Sequence, residues 1–152
     1  MKAKRPRGRR KGESVMDKKE LIRQALAARE KAYTPYSHFK VGAALLGKSG
    51  RVYTGCNVEN AAYTPSNCAE RTALFKAVSE GEREFDAIAI VGSMEGKQNT
   101  LVTGPCGVCR QALYEFGGDG LLVIMAKSPD DYVERTLGEL LPFGFGPANI
   151  EH

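Results

Sequence analysis

Three thiols and one carboxylate stand out for what their spacing could do. Cys68-Ala69-Glu70-Arg71 carries the first thiol, and Pro105-Cys106-Gly107-Val108-Cys109-Arg110 carries the other two. Zinc takes thiolates as ligands, and a hydrolytic zinc site keeps its fourth position for water. Such a site also needs a proton carrier that is not itself a ligand. Glu70, two residues after the first cysteine, can be that carrier. The chemistry on offer is hydrolysis by metal-activated water.

An all-sulfur site creates an electrostatic difficulty. Three thiolates on Zn²⁺ leave a net charge of about −1 before water ionises, which weakens the cation as a Lewis acid. Water must still be brought from a pKa of about 15.7 towards about 7. Positive compensation is needed, and Arg71 directly follows the first ligand segment. Arg110 directly follows Cys109 and is either a second compensating charge or an ordinary helix arginine.

The elements that hold these residues can be read from periodicity. From Cys68 to about Glu80, Ala73, Leu74, Ala77 and Val78 recur at helical spacing, and Gly81 ends the run. Pro105 suits the first turn of another helix through about Phe116, stopped by Gly117-Gly118. Both cysteine segments therefore open helices. Helix N-termini carry about half a positive charge and lower a thiol pKa from about 8.5. Two helices meeting tip to tip can aim Cys68, Cys106 and Cys109 at one ion.

An earlier helix is predicted from Met16 to about Tyr33, capped by Asp17 with Glu20 and stopped by Pro35. Its buried face is Leu21, Ile22, Ala25 and Leu26, with Arg29 at the edge. Lys40–Leu46 and Arg51–Asn57 flank Gly47-Lys48-Ser49-Gly50 and form a β-hairpin. The polar segment Asn57–Asn67 is a functional loop. Phe85–Gly92 and Leu121–Ala126 are buried strands on either side of the second cysteine helix, which implies a right-handed parallel crossover. Lys127–Asp130 is too short for a crossover, so Asp131–Thr136 returns antiparallel before a helical turn at Leu137–Leu141. The fold class is α/β: a single domain with a five-stranded mixed sheet and helices on both faces.

The 152 residues make one domain by size. Residues 1–14 form a disordered basic tail, and residues 15–152 form the catalytic domain. The net charge of +4 misleads, because residues 1–11 hold seven Lys/Arg and no acid. The remainder carries fifteen basic and eighteen acidic side chains and has no nucleic-acid footprint. The tail is either a solvated extension or a nucleic-acid or targeting element. With four cysteines, no signal peptide and no long apolar run, the expectation is a cytoplasmic protein without a membrane partner.

The paired segments around Cys68 and Cys106 resemble the signature of zinc nucleobase deaminases, in an all-cysteine form. The resemblance extends over about Tyr36 to Pro142 and is closest to the short, homotetrameric cytidine deaminases of pyrimidine salvage. Its motifs are Tyr36-Ser37-His38-Phe39-Lys40-Val41-Gly42-Ala43-Ala44-Leu45, Gly55-Cys56-Asn57-Val58-Glu59-Asn60-Ala61-Ala62-Tyr63, the two cysteine segments, and Leu140-Leu141-Pro142. It implies that Cys68, Cys106 and Cys109 hold Zn²⁺ and that Glu70 carries a proton from water to the ring nitrogen and then to the departing amine. Arg71 would hydrogen-bond to ligand thiolates, and Ala69 would lend a backbone contact to the base. Asn57 and Glu59 would hold the ribose 3′-hydroxyl, and Phe39 would pack beside the pyrimidine. Tyr63 and a C-terminal Phe, Phe145 or Phe143, would reach a neighbouring subunit's site in a homotetramer. The partner implied is a small nucleoside, since a carboxylate at the sugar repels a phosphate.

Other readings are less economical. A closed four-cysteine structural zinc that adds Cys56 gives Glu70 nothing to do. A redox role for Cys106-Gly107-Val108-Cys109 ignores Cys68 and Glu70. A nucleoside-antibiotic deaminase of the blasticidin type does not account for Asn57-Val58-Glu59-Asn60 as well as a cytidine deaminase does, and an acidic body argues against a nucleic-acid editor. His38 and His152 have no partner evident in the sequence and are expected to be exposed.

Overall fold

The computed structural model describes residues 16–150. The basic tail expected over residues 1–14, and His152, lie outside these residues. Helix α1 spans Lys18–Arg29 and starts where Asp17 Oδ1 accepts the N–H of Glu20 at 3.0 Å. It buries Leu21, Ile22, Ala25 and Ala28. It does not run on to Tyr33, and Pro35 is not what ends it. Tyr33 is taken instead by a β-bridge, its N–H donating to the Asn57 carbonyl at 3.0 Å and its carbonyl accepting from Glu59 N at 2.9 Å.

Strands β1 (Phe39–Gly47) and β2 (Val52–Cys56) form the expected antiparallel hairpin. Helix α2 (Ala69–Ser79) precedes β3 (Phe85–Met94), and α3 (Gly107–Gly117) precedes β4 (Leu122–Ser128). Strand β5 (Asp131–Thr136) returns antiparallel, and the short α4 (Leu137–Leu140) follows behind a Thr136–Glu139 capping box. The sheet order is β2-β1-β3-β4-β5, with β3 and β4 parallel across α3 and β1 antiparallel to both neighbours. The mixed five-stranded sheet is as predicted.

Alternation along the strands sorts the core into two layers. Val41, Ala43, Leu45, Ile88 and Ile90 pack with residues of α2 and α3, such as Leu74 and Leu113. Ala44, Ala87, Ala89 and Val91 pack under α1 with Leu21 and Ile22. Helices thus cover both faces, and each fully buried Leu or Ile contributes about 1.5–3 kcal/mol. Two glycines let helices sit closer than any side chain permits. A Cβ on Gly42 would lie 2.0 Å from the Ala25 carbonyl oxygen, and one on Gly55 would lie 2.6 Å from that of Ala69. The Gly55 contact seats the first turn of α2 on the sheet. Among the described residues, no helix is long and apolar enough to cross a membrane.

Candidate active site

Strands β2 and β3 flank β1 and run in the same direction, so their carboxyl ends lie at the same end of the sheet, and from there the chain leads to α2 and α3. Cys68 is the N-cap of α2 and Cys106 the N-cap of α3, each extended and with no side-chain hydrogen bond closing the cap. Pro105 therefore sits outside α3, one residue before its cap. Cys109 lies in the first turn of α3 and is buried. The helix starts bring the Sγ atoms of Cys68, Cys106 and Cys109 within 4.8 Å of one another.

The donor set fits zinc. A tetrahedral ion with Zn–S bonds of about 2.3 Å requires sulfurs about 3.8 Å apart, and the Cys68 and Cys106 sulfurs are 3.8 Å apart. Arg71 supplies the positive charge that three thiolates call for. Its Nε donates to Cys109 Sγ and its Nη2 to Cys68 Sγ, both at 3.4 Å. Hydrogen bonds from Cys109 and Arg71 outweigh burial and draw the Cys68 thiol down to about 5. The Cys109 thiol is pushed up, first as the donor to Cys68 and then by burial.

Glu70 is 4 % exposed and lies one residue beyond the α2 N-terminal residue Ala69. Burial pushes its carboxyl up to about 7, with the neighbouring Cys68 charge adding to the effect and Arg71 opposing it. A carboxyl so placed can both accept and donate a proton near neutrality. Ala69 is fully buried in the same turn.

The other predicted residues are anchored by contacts that the sequence did not reveal. Asn57 Oδ1 accepts from Val41 N at 2.9 Å and its Nδ2 donates to the Phe39 carbonyl at 2.8 Å, leaving one amide proton unused by these two bonds. Glu59 Oε1 accepts the N–H groups of Tyr36 and Ser37 at 3.0 and 3.1 Å, and its Oε2 accepts the Ser37 hydroxyl. The Ser37 hydroxyl holds the Glu59 carboxyl below its usual range, helped by the two N–H groups. Ser37 Oγ also accepts from Phe39 N at 3.0 Å, so Glu59, Ser37, Phe39 and Asn57 form one linked cradle. Ser37 and Tyr36 were missed as functional residues; only their place inside the first matching motif pointed to them.

Six further residues bear on questions left by the sequence. Arg110 does not touch the sulfurs: it donates to the carbonyls of Pro105 and Leu140, each at 2.7 Å. Cys56 stands apart from the three-sulfur cluster. His38 is exposed, as expected, but it has a partner in Glu95 at 3.6 Å. Tyr63 and Phe145 are 73 % and 59 % exposed, and Phe143 projects fully into solvent. Tyr63 and Phe143 also hold positive φ, at 66° and 56°.

Three cysteine sulfurs converging at two helix tips, with a buried carboxyl on the second residue of one of those helices, are what a zinc-dependent hydrolase calls for. Residues 15–125 match the family described as "Cytidine and deoxycytidylate deaminase zinc-binding region". The chain is 47 % identical over 137 residues to a cytidine deaminase from Sporosarcina psychrophila, covering 90 % of this chain and 97 % of that one. The crystal structure of cytidine deaminase from Burkholderia pseudomallei superposes with a TM-score of 0.76 at 50 % identity, covering 83 % of this chain and 97 % of its own. A blasticidin-S deaminase from Bacillus cereus is more distant, 32 % identical over 108 residues that cover 69 % of this chain and 76 % of that one. The chain belongs to the cytidine deaminase family of zinc-binding enzymes, which hydrolyse a C–N bond.

Proposed function

We propose that this enzyme deaminates cytidine and 2′-deoxycytidine with water, giving the uridines and ammonia in pyrimidine salvage. The observation that carries the reading is the buried Glu70 carboxyl set beside three convergent cysteine sulfurs. Zinc, when bound by Cys68, Cys106 and Cys109, supplies a Lewis acid that acidifies water. Glu70 takes one proton from water and passes it to the ring nitrogen as the oxygen adds to the amine-bearing carbon. It then takes the second proton from that new hydroxyl and delivers it to the amine, which leaves as ammonia while the carbonyl forms. Arg71 offsets the thiolate charge. Ala69 offers its backbone to the base, and Phe39 packs beside it.

Asn57, through its remaining amide proton, and Glu59, through its remaining lone pair on Oε2, hold the ribose 3′-hydroxyl. A fixed carboxylate at that place disfavours a phosphate, which supports free nucleosides over nucleotides. Tyr63 and Phe145 complete the site of a neighbouring subunit in a homotetramer; their exposure in the single chain supports this. Residues 15–152 form the catalytic domain, and the enzyme is cytoplasmic.

The test is turnover by the purified, zinc-loaded protein, followed in the ultraviolet, with cytidine, blasticidin S and a cytosine-containing oligonucleotide in parallel. Cytidine is the substrate consumed. Inertness towards cytidine and deoxycytidine in a protein that holds zinc would refute the assignment.

A further inference from the structure

The chain between β3 and α3 delivers Cys106 to the site, and it is fastened on both faces of the sheet. On the α1 face, Ser93 follows Ala89 and Val91 in the alternation and meets Arg29, the last residue of α1. Arg29 Nη1 donates to Ser93 Oγ and to Asn99 Oδ1, both at 3.1 Å, and Asn99 Nδ2 donates to the Lys127 carbonyl at 2.8 Å. Ser93 is 6 % exposed. On the opposite face, Thr103 Oγ1 donates to the Gly92 carbonyl at 3.4 Å. A Cβ on Gly92 would lie 2.7 Å from Thr103 Oγ1 and 3.1 Å from the Phe39 ring, so Thr103 and Phe39 close together over a bare backbone. A cavity of about 600 Å³ opens beside this pair, walled by Leu101 and Val102.

We infer that Arg29 and Asn99 are positioning residues: their clamp on segment 95–103 fixes the Thr103–Phe39 wall against which the pyrimidine packs. The inference rests on the proposed role of Phe39. Without the clamp, the segment gains conformations, among them some that collapse into the cavity and release the Phe39 ring. The base then meets a wall that must be ordered on binding, so the cost falls on affinity before it falls on the chemical step. A guanidinium suits the task because one planar group serves two acceptors at fixed angles, which an ammonium does not.

The experiment uses the zinc-loaded full chain with Asn99→Ala, Arg29→Met and Arg29→Lys. Asn99→Ala and Arg29→Met raise KM for cytidine and Kd for uridine by about tenfold, leave kcat and zinc content near wild type, and speed hydrogen exchange over residues 95–104. Arg29→Lys falls between them and wild type. If Arg29→Met does not fold, Asn99→Ala, a change in a partly exposed segment, decides the matter. Wild-type KM and Kd in Asn99→Ala overturn the inference, as does a loss confined to kcat and zinc content, which would assign the clamp to Cys106 instead. Exchange that stays at the wild-type rate overturns the clamp whatever the substrate is. A wild type with no cytidine turnover would count against the proposed function alone.

Discussion

Arg71 Nε donates to Cys109 Sγ across 3.4 Å, so a side chain rooted in α2 holds a thiol rooted in α3. The same guanidinium reaches Cys68 on its own helix, at 3.4 Å. One cation therefore fixes the spacing of two sulfurs and offsets part of their charge. Replacing Arg71 with Gln removes the charge and the fork together. Outer partners of metal ligands are worth about 10–100-fold in metal affinity. Competition against a chromogenic chelator should show a loss of that size, and unchanged affinity would contradict the role given to Arg71.

Glu70 touches no other side chain by hydrogen bond among the described residues, so its removal should leave the zinc pocket standing. Glu70→Ala is expected to keep one zinc per chain and to lose about 10²–10⁴-fold in kcat for cytidine. Metal analysis and ultraviolet turnover on one preparation check both halves. Retained turnover would remove Glu70 from the mechanism.

Gly55 is a packing requirement. A methyl there meets Ala73 N at 2.5 Å and the Ala69 carbonyl at 2.6 Å, both backbone atoms. Gly55→Ala must lift the first turn of α2, the turn that carries Glu70 and Arg71. The expected destabilisation is about 1–3 kcal/mol, read by thermal unfolding, together with weaker zinc retention. A variant with wild-type melting temperature would show that α2 seats less tightly than described.

The hold of Ser37 on Glu59 predicts a pH dependence of known sign. The Glu59 carboxyl is depressed in the folded protein, first by the Ser37 hydroxyl. Its contribution to stability is therefore present above the unfolded pKa of about 4.3 and is lost as pH falls through the lower folded value. Ser37→Ala returns the carboxyl towards its ordinary range, so most of that contribution is absent from the variant at neutral pH and less remains to be lost on acidification. Melting temperatures measured from about pH 2 to 6 should show the variant below wild type at the upper end and the gap narrowing as pH falls below about 4.3; a gap that stays constant with pH would contradict the hold of Ser37 on Glu59.

Tyr63 combines positive φ with an exposed ring whose aromatic neighbour is Tyr36, edge-on at 6.4 Å. If the ring belongs to a neighbour's site, Tyr63→Ala lowers both tetramer stability and turnover. Sedimentation velocity across a dilution series separates this from a local effect, since an active monomer would leave the shared site without support.

The zinc pocket was legible because its information is local. Cys68 and Cys106 each stand at the start of a helix whose apolar spacing can be counted, and the strands around them are short apolar runs. Alternation and connection length were enough for the β1–β2 hairpin, the parallel β3–β4 crossover and the antiparallel return of β5, but not for the pairing of β1 with β3, which joins the two halves of the sheet. What could not be read depends on backbone groups made available only by tertiary structure. The Glu59 cradle is built from two N–H groups of a turn more than twenty residues away, and Asn57 gives its amide to the backbone of β1. The end of α1 is another case, since Tyr33 leaves the helix to pair with the loop after β2. Arg110 looked like a candidate for charge compensation from its place beside Cys109, but its bonds to Pro105 and Leu140 depend on where the far end of the chain returns.

That last return has a practical side. Because Arg110 grips the carbonyl just ahead of Cys106 with one arm and the end of α4 with the other, the chain around Leu140 is mechanically wired to the start of α3. Affinity handles or fusion partners placed after it, and trims that remove it, tug on the strap beneath Cys106. Engineering of this enzyme should put its attachments at the opposite terminus.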